Sequence, residues 1–397
     1  MDVKERVNLY IIFAVFGVGI MSMAPRNPEI KHNLGISNGS FGTLLSLAGL
    51  GSLISLIYGG HLVHRLGTRP VLTVGSTIVY ATIASIPHVH SPIIFVVLMF
   101  IMGASLSGYH IASNAQGLRR QADTGQVLIP KLHGAWSSGA LFAAVFAFIV
   151  TPRVSFAWHI DSLIAIAWIV TQIALWNLKD VLIHGSKDPD SESSYSVKTI
   201  FTSFQFEPLV SFGLLCAVMI EFATNDWATI FAKEEIGMSP AASILPYILF
   251  VLSMIIGRFT IHRVLTFRTE RWLIKWGAIF GGSTFICLSI AGTILAKSHK
   301  QFGFAVILTG FIAIGVGCSH LAPTWYGIAG RRTSIPGAVI VAQLGVVNTI
   351  LVFLIKILIS WLAQTTWVLT ALLFPALMLI AVVSVSHLGR DELLPKV

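Results

Sequence analysis

Apolar runs of membrane-crossing length recur along this chain, separated by short polar or turn-forming breaks. A helix needs about 20 apolar residues to cross a hydrocarbon core. Twelve stretches approach or exceed that length, at roughly 8–25, 40–62, 70–88, 92–115, 132–152, 156–178, 207–231, 241–262, 272–296, 302–328, 336–362 and 366–388. The longest polar segment, 179–206, holds Lys179, Asp180, Lys187, Asp188, Asp190, Glu192 and several serines. Such a composition cannot bury enough apolar surface to order itself. The pattern therefore predicts an all-α polytopic membrane protein of 12 transmembrane helices. It divides into an N-terminal six-helix bundle at 1–178, a linker at 179–206 and a C-terminal six-helix bundle at 207–397.

The two halves echo each other. Gly59 precedes His64-Arg65 after the second stretch, and Gly257 precedes His262-Arg263 at the same spacing after the eighth. His110, Ala112 and Gly117 lead into Arg119-Arg120 at the end of the fourth stretch. His320, Ala322 and Gly327 lead into Arg331-Arg332 at the end of the tenth. A repeat at an interval of six spans predicts two pseudo-symmetric bundles, the layout on which alternating access is built.

Composition supports lipid as the solvent. The 397 residues are 55% hydrophobic and 11% charged, and the mean hydropathy is +0.82. Soluble chains carry about 25% charged residues. The net charge of +9 is scattered through short loops between apolar runs, which points away from nucleic acid and toward the membrane. Cys216, Cys287 and Cys318 all fall inside apolar runs, so they form no disulfide framework. No small-residue cleavage site follows the first run, which is read as a retained span.

Lys and Arg set the orientation. With the N-terminus inside, most basic residues fall on the cytoplasmic side, Arg258 and Arg263 among them. Only Arg26, Lys31, Arg153, Lys233, Lys297 and Lys300 fall outside, and Lys356 lies within a span. Both termini and the linker are therefore expected in the cytoplasm.

Between the second and third stretches the chain reads Gly60-His61-Leu62-Val63-His64-Arg65-Leu66-Gly67-Thr68-Arg69. This resembles the signature loop of the major facilitator superfamily, G-x-L-x-D-R-x-G-R-R. Gly60, Leu62, Arg65, Gly67 and Arg69 match; His64 stands where the family has Asp, and Thr68 where it has a basic residue. A narrower likeness, to the fucose-permease-like branch and its uncharacterised bacterial relatives, rests on three segments. These are Arg26-Asn27-Pro28-Glu29-Ile30 through Leu34-Gly35-Ile36-Ser37, then His133 with Ser137 and Gly139, then Glu221 with Asp226-Trp227. The resemblance implies a secondary transporter of the cytoplasmic (inner) membrane. It also implies that Gly60, His64, Arg65, Gly67 and Arg69, with His262 and Arg263 in the repeat, form gating loops. His64 would make a weaker lock than Asp, being neutral much of the time near pH 7.

Glu221 falls near the middle of the seventh span, where an ionised, unpaired carboxylate is costly. It is either a proton site or one half of a structural ion pair. Asn225 shares its face. Asp226, five positions on, is rotated by about 140°, so the two acids are not expected to form one dyad. Asp226 is the second coupling candidate, although its place near the span's outer end suits an interfacial or capping role. His110 with Asn114 on one face, and His320 with Thr324 on another, fall at repeat-equivalent positions. They either face a pathway or hydrogen-bond between helices. His133 with Trp136 and Ser137, and Trp325, Gln343 and Asn348, complete an aromatic and amide set that suits a neutral polar solute, sugar-like in character. Pro323 with Gly310, Gly315 and Gly317 allows a bend in the tenth span. The His and Cys spacings match no metal site, and no phosphate loop or nucleophile–base set is visible.

The expected protein is therefore no enzyme and needs no cofactor. It is a monomer in the lipid bilayer that moves a small-molecule substrate by alternating access, with a proton or another coupling ion and no nucleic acid. The alternative is a sensor or scaffold that keeps the transporter fold without flux. The resemblance implies an acidic residue in the fourth span, as sugar–proton symporters of that branch have; its absence here, with His64 in place of Asp, keeps that alternative open.

Overall fold

In a computed structural model the chain is described over residues 3–124, 128–178, 207–332 and 337–393. Without water to satisfy them, backbone N–H and C=O groups must pair within their own segment, so apolar runs become helices. Among the described residues twelve helical segments are long and apolar enough to cross a membrane, from Lys4–Leu34 to Thr370–Leu388. The expected linker, 179–206, lies outside the described residues. The chain divides into two compact units, Met1–Phe204 and Gln205–Val397.

The N-terminal unit contains α1 (Val3–Met21), α2 (Asn27–Leu34), α3 (Asn38–Ser46), α4 (Ala48–Leu66), α5 (Thr68–Ser85), α6 (Pro92–Thr124), α7 (Ile129–Val150) and α8 (Phe156–Trp176). Lipid offers no hydrophobic drive between helices, so close packing must hold them, and small residues let backbones approach. A Cβ on Gly103 of α6 would lie 1.8 Å from the Ala48 carbonyl oxygen of α4. One on Gly139 of α7 would lie 1.9 Å from the Ala14 carbonyl oxygen of α1.

The C-terminal unit contains α9 (Pro208–Ile230), α10 (Leu245–Leu265), α11 (Glu270–Ala296), α12 (Lys300–Cys318), α13 (Leu321–Arg332), α14 (Gly337–Thr365) and α15 (Thr370–Ala381). The same packing device returns here. A Cβ on Gly303 of α12 would meet the Ala296 nitrogen of α11 at 2.3 Å, and one on Gly315 would meet Ser253 Oγ of α10 at 2.1 Å. In each unit the second and third spans flank the fourth. The echo read in the sequence is thus an echo of packing.

Several spans are interrupted. The first runs from α1 through a tight turn at Ala24–Arg26 into α2, further than the expected end at 25. The second breaks at Leu47, between α3 and α4. The tenth breaks at Ser319–His320, ahead of Pro323 rather than at it. Pro323 sits in the first turn of α13, where a missing N–H costs little. The connection from α4 to α5 is Gly67 alone, with φ +85°, a conformation that glycine adopts at no steric cost.

Candidate functional site

The N-terminal unit holds a partly open cavity of about 120 Å³ between three helices. Phe13 and Phe16 reach it from α1, Tyr109, His110, Ser113 and Asn114 from α6, and His133 and Trp136 from α7. Spacings of three and four place each group on one helical face. Phe16 stacks on Tyr109 with ring centroids 3.7 Å apart and meets His110 edge-on at 5.7 Å, while Phe13 meets His133 edge-on at 5.8 Å. Asn114 Nδ2 donates to the His110 carbonyl at 2.9 Å. Its Oδ1 lies 3.2 Å from His133 Nε2, so that ring nitrogen carries the proton. Trp136 Nε1 is buried with no hydrogen-bond partner among the described residues. The lining holds no carboxylate, ammonium or guanidinium. Aromatic walls with a few placed polar groups are what a small-molecule site requires.

The two acids of the seventh span, Glu221 and Asp226, lie in the C-terminal unit. Arg258 Nη2 on α10 reaches both Glu221 carboxylate oxygens on α9, at 3.2 and 3.4 Å. Its Nε donates to the Ser319 carbonyl at 3.0 Å. Pro323 has no N–H to give that carbonyl, four residues earlier, its helical bond. One guanidinium therefore satisfies both an acid and the broken end of the tenth span. Arg258, counted among the cytoplasmic-side basic residues, lies inside α10 and is engaged with two neighbouring segments. Gly257 beside it permits the approach, since a Cβ there would lie 2.3 Å from Ser319 Oγ.

Asp226 has its own cation, Lys356 Nζ of α14, at 2.8 Å. That ammonium also lies 5.8 Å from the centroid of Phe222. The cap expected of Asp226 is thus an interhelical ion pair, and the two acids of α9 hold separate partners. Asn225 lies between them in sequence and is half-buried.

Other sequence candidates scatter. Ser137 is buried and donates to the His133 carbonyl at 3.1 Å. His320, the repeat counterpart of His110, is buried against α11, where a Cβ on Gly277 would come within 2.6 Å of its ring. Thr324 donates to its carbonyl at 2.8 Å. Trp325 is fully buried, packed on Gly213. Gln343 and Asn348 are buried on α14, and Asn348 Nδ2 donates to the Leu344 carbonyl at 3.0 Å. Repeat-equivalent positions thus occupy unlike surroundings, His110 on a cavity and His320 in packing. Phe13, Phe16 and Tyr109 carry no sequence mark separating them from other aromatics in apolar runs.

In the signature loop His64 and Arg65 are exposed. Arg69 lies over the Trp176 ring at 5.6 Å. Thr68, at the departure from the family pattern, donates to Gln116 Oε1 of α6 at 2.8 Å and is buried. Arg263 is exposed; the side-chain environments of Gly60 and His262 lie outside the described residues. The paired arginines act alike. Arg120 bonds Glu5 at the start of the first span, and Arg332 bonds Glu207 at the start of the seventh, at 3.4 Å.

The family model described as Major Facilitator Superfamily matches residues 9–355. An uncharacterized MFS-type transporter of Yersinia pestis is 25% identical over 344 residues, 86% of this chain and 84% of that protein. Membrane protein MosC of Rhizobium meliloti is 21% identical over 325 residues, 81% of this chain and 75% of its own length. Among solved structures, the nucleoside transporter NupG superposes with TM-score 0.73 at 14% identity, covering 98% of both chains. A D-xylose-proton symporter superposes with TM-score 0.69 at 13% identity, again over 98% of both. Twelve membrane-length helices, a fold shared with transporters and a family match across most of the chain lead to one conclusion: this multi-pass membrane protein belongs to the Major Facilitator Superfamily of transporters and is not an enzyme.

Proposed function

We propose that this chain carries a small, neutral, ring-bearing polar solute of sugar-like character across the cytoplasmic membrane by alternating access, driven by protons. The observation that carries this reading is the cavity beside His110, Asn114, His133 and Trp136, which is walled by aromatic rings and holds no charged side chain. A charged solute would lose its hydration there without gaining a counter-charge. A ring-bearing solute can lay an apolar face on Trp136 or Phe13 and give hydroxyls to the histidines and the amide. Similarity to structures named as a nucleoside transporter and a D-xylose-proton symporter supports that class.

Glu221 is the proton-coupling group in this reading. Protonating it removes the charge that Arg258 answers and leaves the guanidinium on the Ser319 carbonyl alone. Proton uptake then reaches the break in the tenth span through a single side chain. Asp226 stays with Lys356 as a fixed pair. The termini and the 179–206 linker face the cytoplasm, and the signature loops of both halves gate that side. The unit that moves is the monomer.

Thermal-shift screening of the purified protein against sugars, nucleosides, amino acids and small acids, followed by uptake into proteoliposomes, tests the proposal. Stabilisation by neutral ring-bearing solutes, lost in Trp136→Ala, is the expected result. Stabilisation only by charged solutes would overturn the substrate class. Binding with no flux would turn the reading to a sensor.

A further inference from the structure

The turn that joins α1 to α2 carries a buried arginine that no part of the transport reading uses. Arg26 ends the Ala24–Arg26 turn and is 2% exposed; His159, in the first turn of α8, is 1% exposed. Arg26 Nε donates to His159 Nδ1 at 3.0 Å, and its Nη1 reaches Glu29 at 3.2 Å. The guanidinium also lies 5.8 Å from the centroid of Phe156. A guanidinium only donates, so His159 Nδ1 is an acceptor and the ring is neutral, with its proton on Nε2. That Nε2 and Arg26 Nη2 are both buried with no hydrogen-bond partner among the described residues.

We propose that His159 is a proton-operated lock on the joint between α1 and α2. A proton arriving at Nδ1 removes the acceptor of Arg26 and sets a second cation 3.0 Å from the first. The surroundings do not absorb it. Glu29 answers Arg26 from the far end of the guanidinium. Asp161, on the same helix as His159, is held by His88 of the Ile86–His88 turn at 2.9 Å. Tyr80 of α5 is bonded to Thr171 at 3.1 Å, twelve residues or about 18 Å along α8 from His159, and is out of reach. From α7 the facing group is the Phe146 ring, at 5.5 Å, and Arg153 beyond its end bonds the Ile149 carbonyl. Protonation therefore drives Arg26 and His159 apart. The joint loosens, while α2 stays tied through Asn33 to the Pro87 carbonyl and through Lys31 to Asn38. This end of the N-terminal unit becomes acid-sensitive through one histidine, independently of Glu221.

Hydrogen–deuterium exchange on the full chain in nanodiscs tests this, with peptides covering 18–34 compared at about pH 5 and about pH 8 after correction for intrinsic exchange. Wild type is expected to lose protection about tenfold at the acid end, a local opening rather than global unfolding. His159→Gln keeps an acceptor for Arg26 and takes no proton, so its protection is expected to be high and equal at both ends. Equal protection in wild type, or the same acid loss in His159→Gln, overturns the proposal. Should that variant fail to fold, 15N-histidine NMR of wild type decides. The lock requires His159 neutral with its proton on Nε2 at about pH 8, and protonated where protection falls. A different tautomer, or a ring that stays neutral through the loss, overturns it.

Discussion

Replacing Glu221 by Gln separates coupling from folding, because Gln keeps the shape and one acceptor of the acid while removing its charge. Opposite charges about 4 Å apart attract by about 4 kcal/mol at an effective dielectric near 20. Here the Arg258 pair is closer, at 3.2 and 3.4 Å. The side chains of Arg258 and Glu221 are 33% and 24% exposed, and desolvation offsets part of the attraction, so the net loss on removing the charge is about 1–2 kcal/mol. A hydrogen bond from Arg258 to the Gln carbonyl recovers about 1 kcal/mol of that. Arg258 also retains the Ser319 carbonyl at 3.0 Å. The variant is therefore expected to fold and bind normally. The energetic consequence is larger. One proton moved down a difference of one pH unit supplies about 1.4 kcal/mol, enough to accumulate solute about tenfold. Proteoliposomes with an imposed pH difference, loaded with the solute found by thermal shift, give the measurement. Wild type is expected to approach that ratio. Glu221→Gln is expected to exchange labelled for unlabelled solute at near-normal rate yet stop at equal concentrations. Full accumulation by Glu221→Gln would refute the assignment and leave Glu221 as a structural partner of Arg258.

Gly103→Leu is expected to lower stability by about 3 kcal/mol or more in thermal unfolding, since even a Cβ there would lie 1.8 Å from the Ala48 carbonyl oxygen. Gly134→Ala, where a Cβ meets nothing within 4 Å, is expected to be neutral or slightly stabilising. Lys356→Met removes the cation that Asp226 pairs with and is expected to cost about 3 kcal/mol; adding Asp226→Asn is expected to restore most of it, and a double-mutant cycle by thermal unfolding measures the coupling. Reporter fusions after residues 67, 190, 268 and 395 are expected to report cytoplasm, and those after 153 and 299 the outside; a periplasmic signal at 190 would remove the two-bundle arrangement.

The helices were legible because each apolar run must satisfy its own backbone, and that requirement is written locally. The contacts between helices were not. Arg258 lies near the end of an apolar run, where a charge tally counts it only as a cytoplasmic-side cation. Only the packing of α9, α10 and the tenth-span break reveals that Glu221 and Ser319 claim it. Lys356 and Asp226 are 130 positions apart, and no spacing announces their bond. The bend in the tenth span was visible in Pro323, but its position was not, because the proline acts on the carbonyl four residues earlier. Trp136 and Trp325 looked alike in sequence; one borders a cavity and the other lies packed on Gly213. Which aromatic faces open space depends on neighbours from other spans.

The ion pairs that tie Arg120 to Glu5 and Arg332 to Glu207 also set a clock for biogenesis. Each joins the start of a bundle to the end of its fourth span, across 115 residues in the first half and 125 in the second. At about 10 residues per second, a ribosome needs roughly ten seconds to bring each arginine out after its glutamate. Through that interval the leading span lacks the arginine that pairs with its acid, and three more spans must be inserted before that pair can form. Neither half borrows the other's charge for this step. The first bundle can therefore form its pair while the second is still being made, and a stalled or truncated chain that ends after the first bundle would already hold its own Arg120–Glu5 bond.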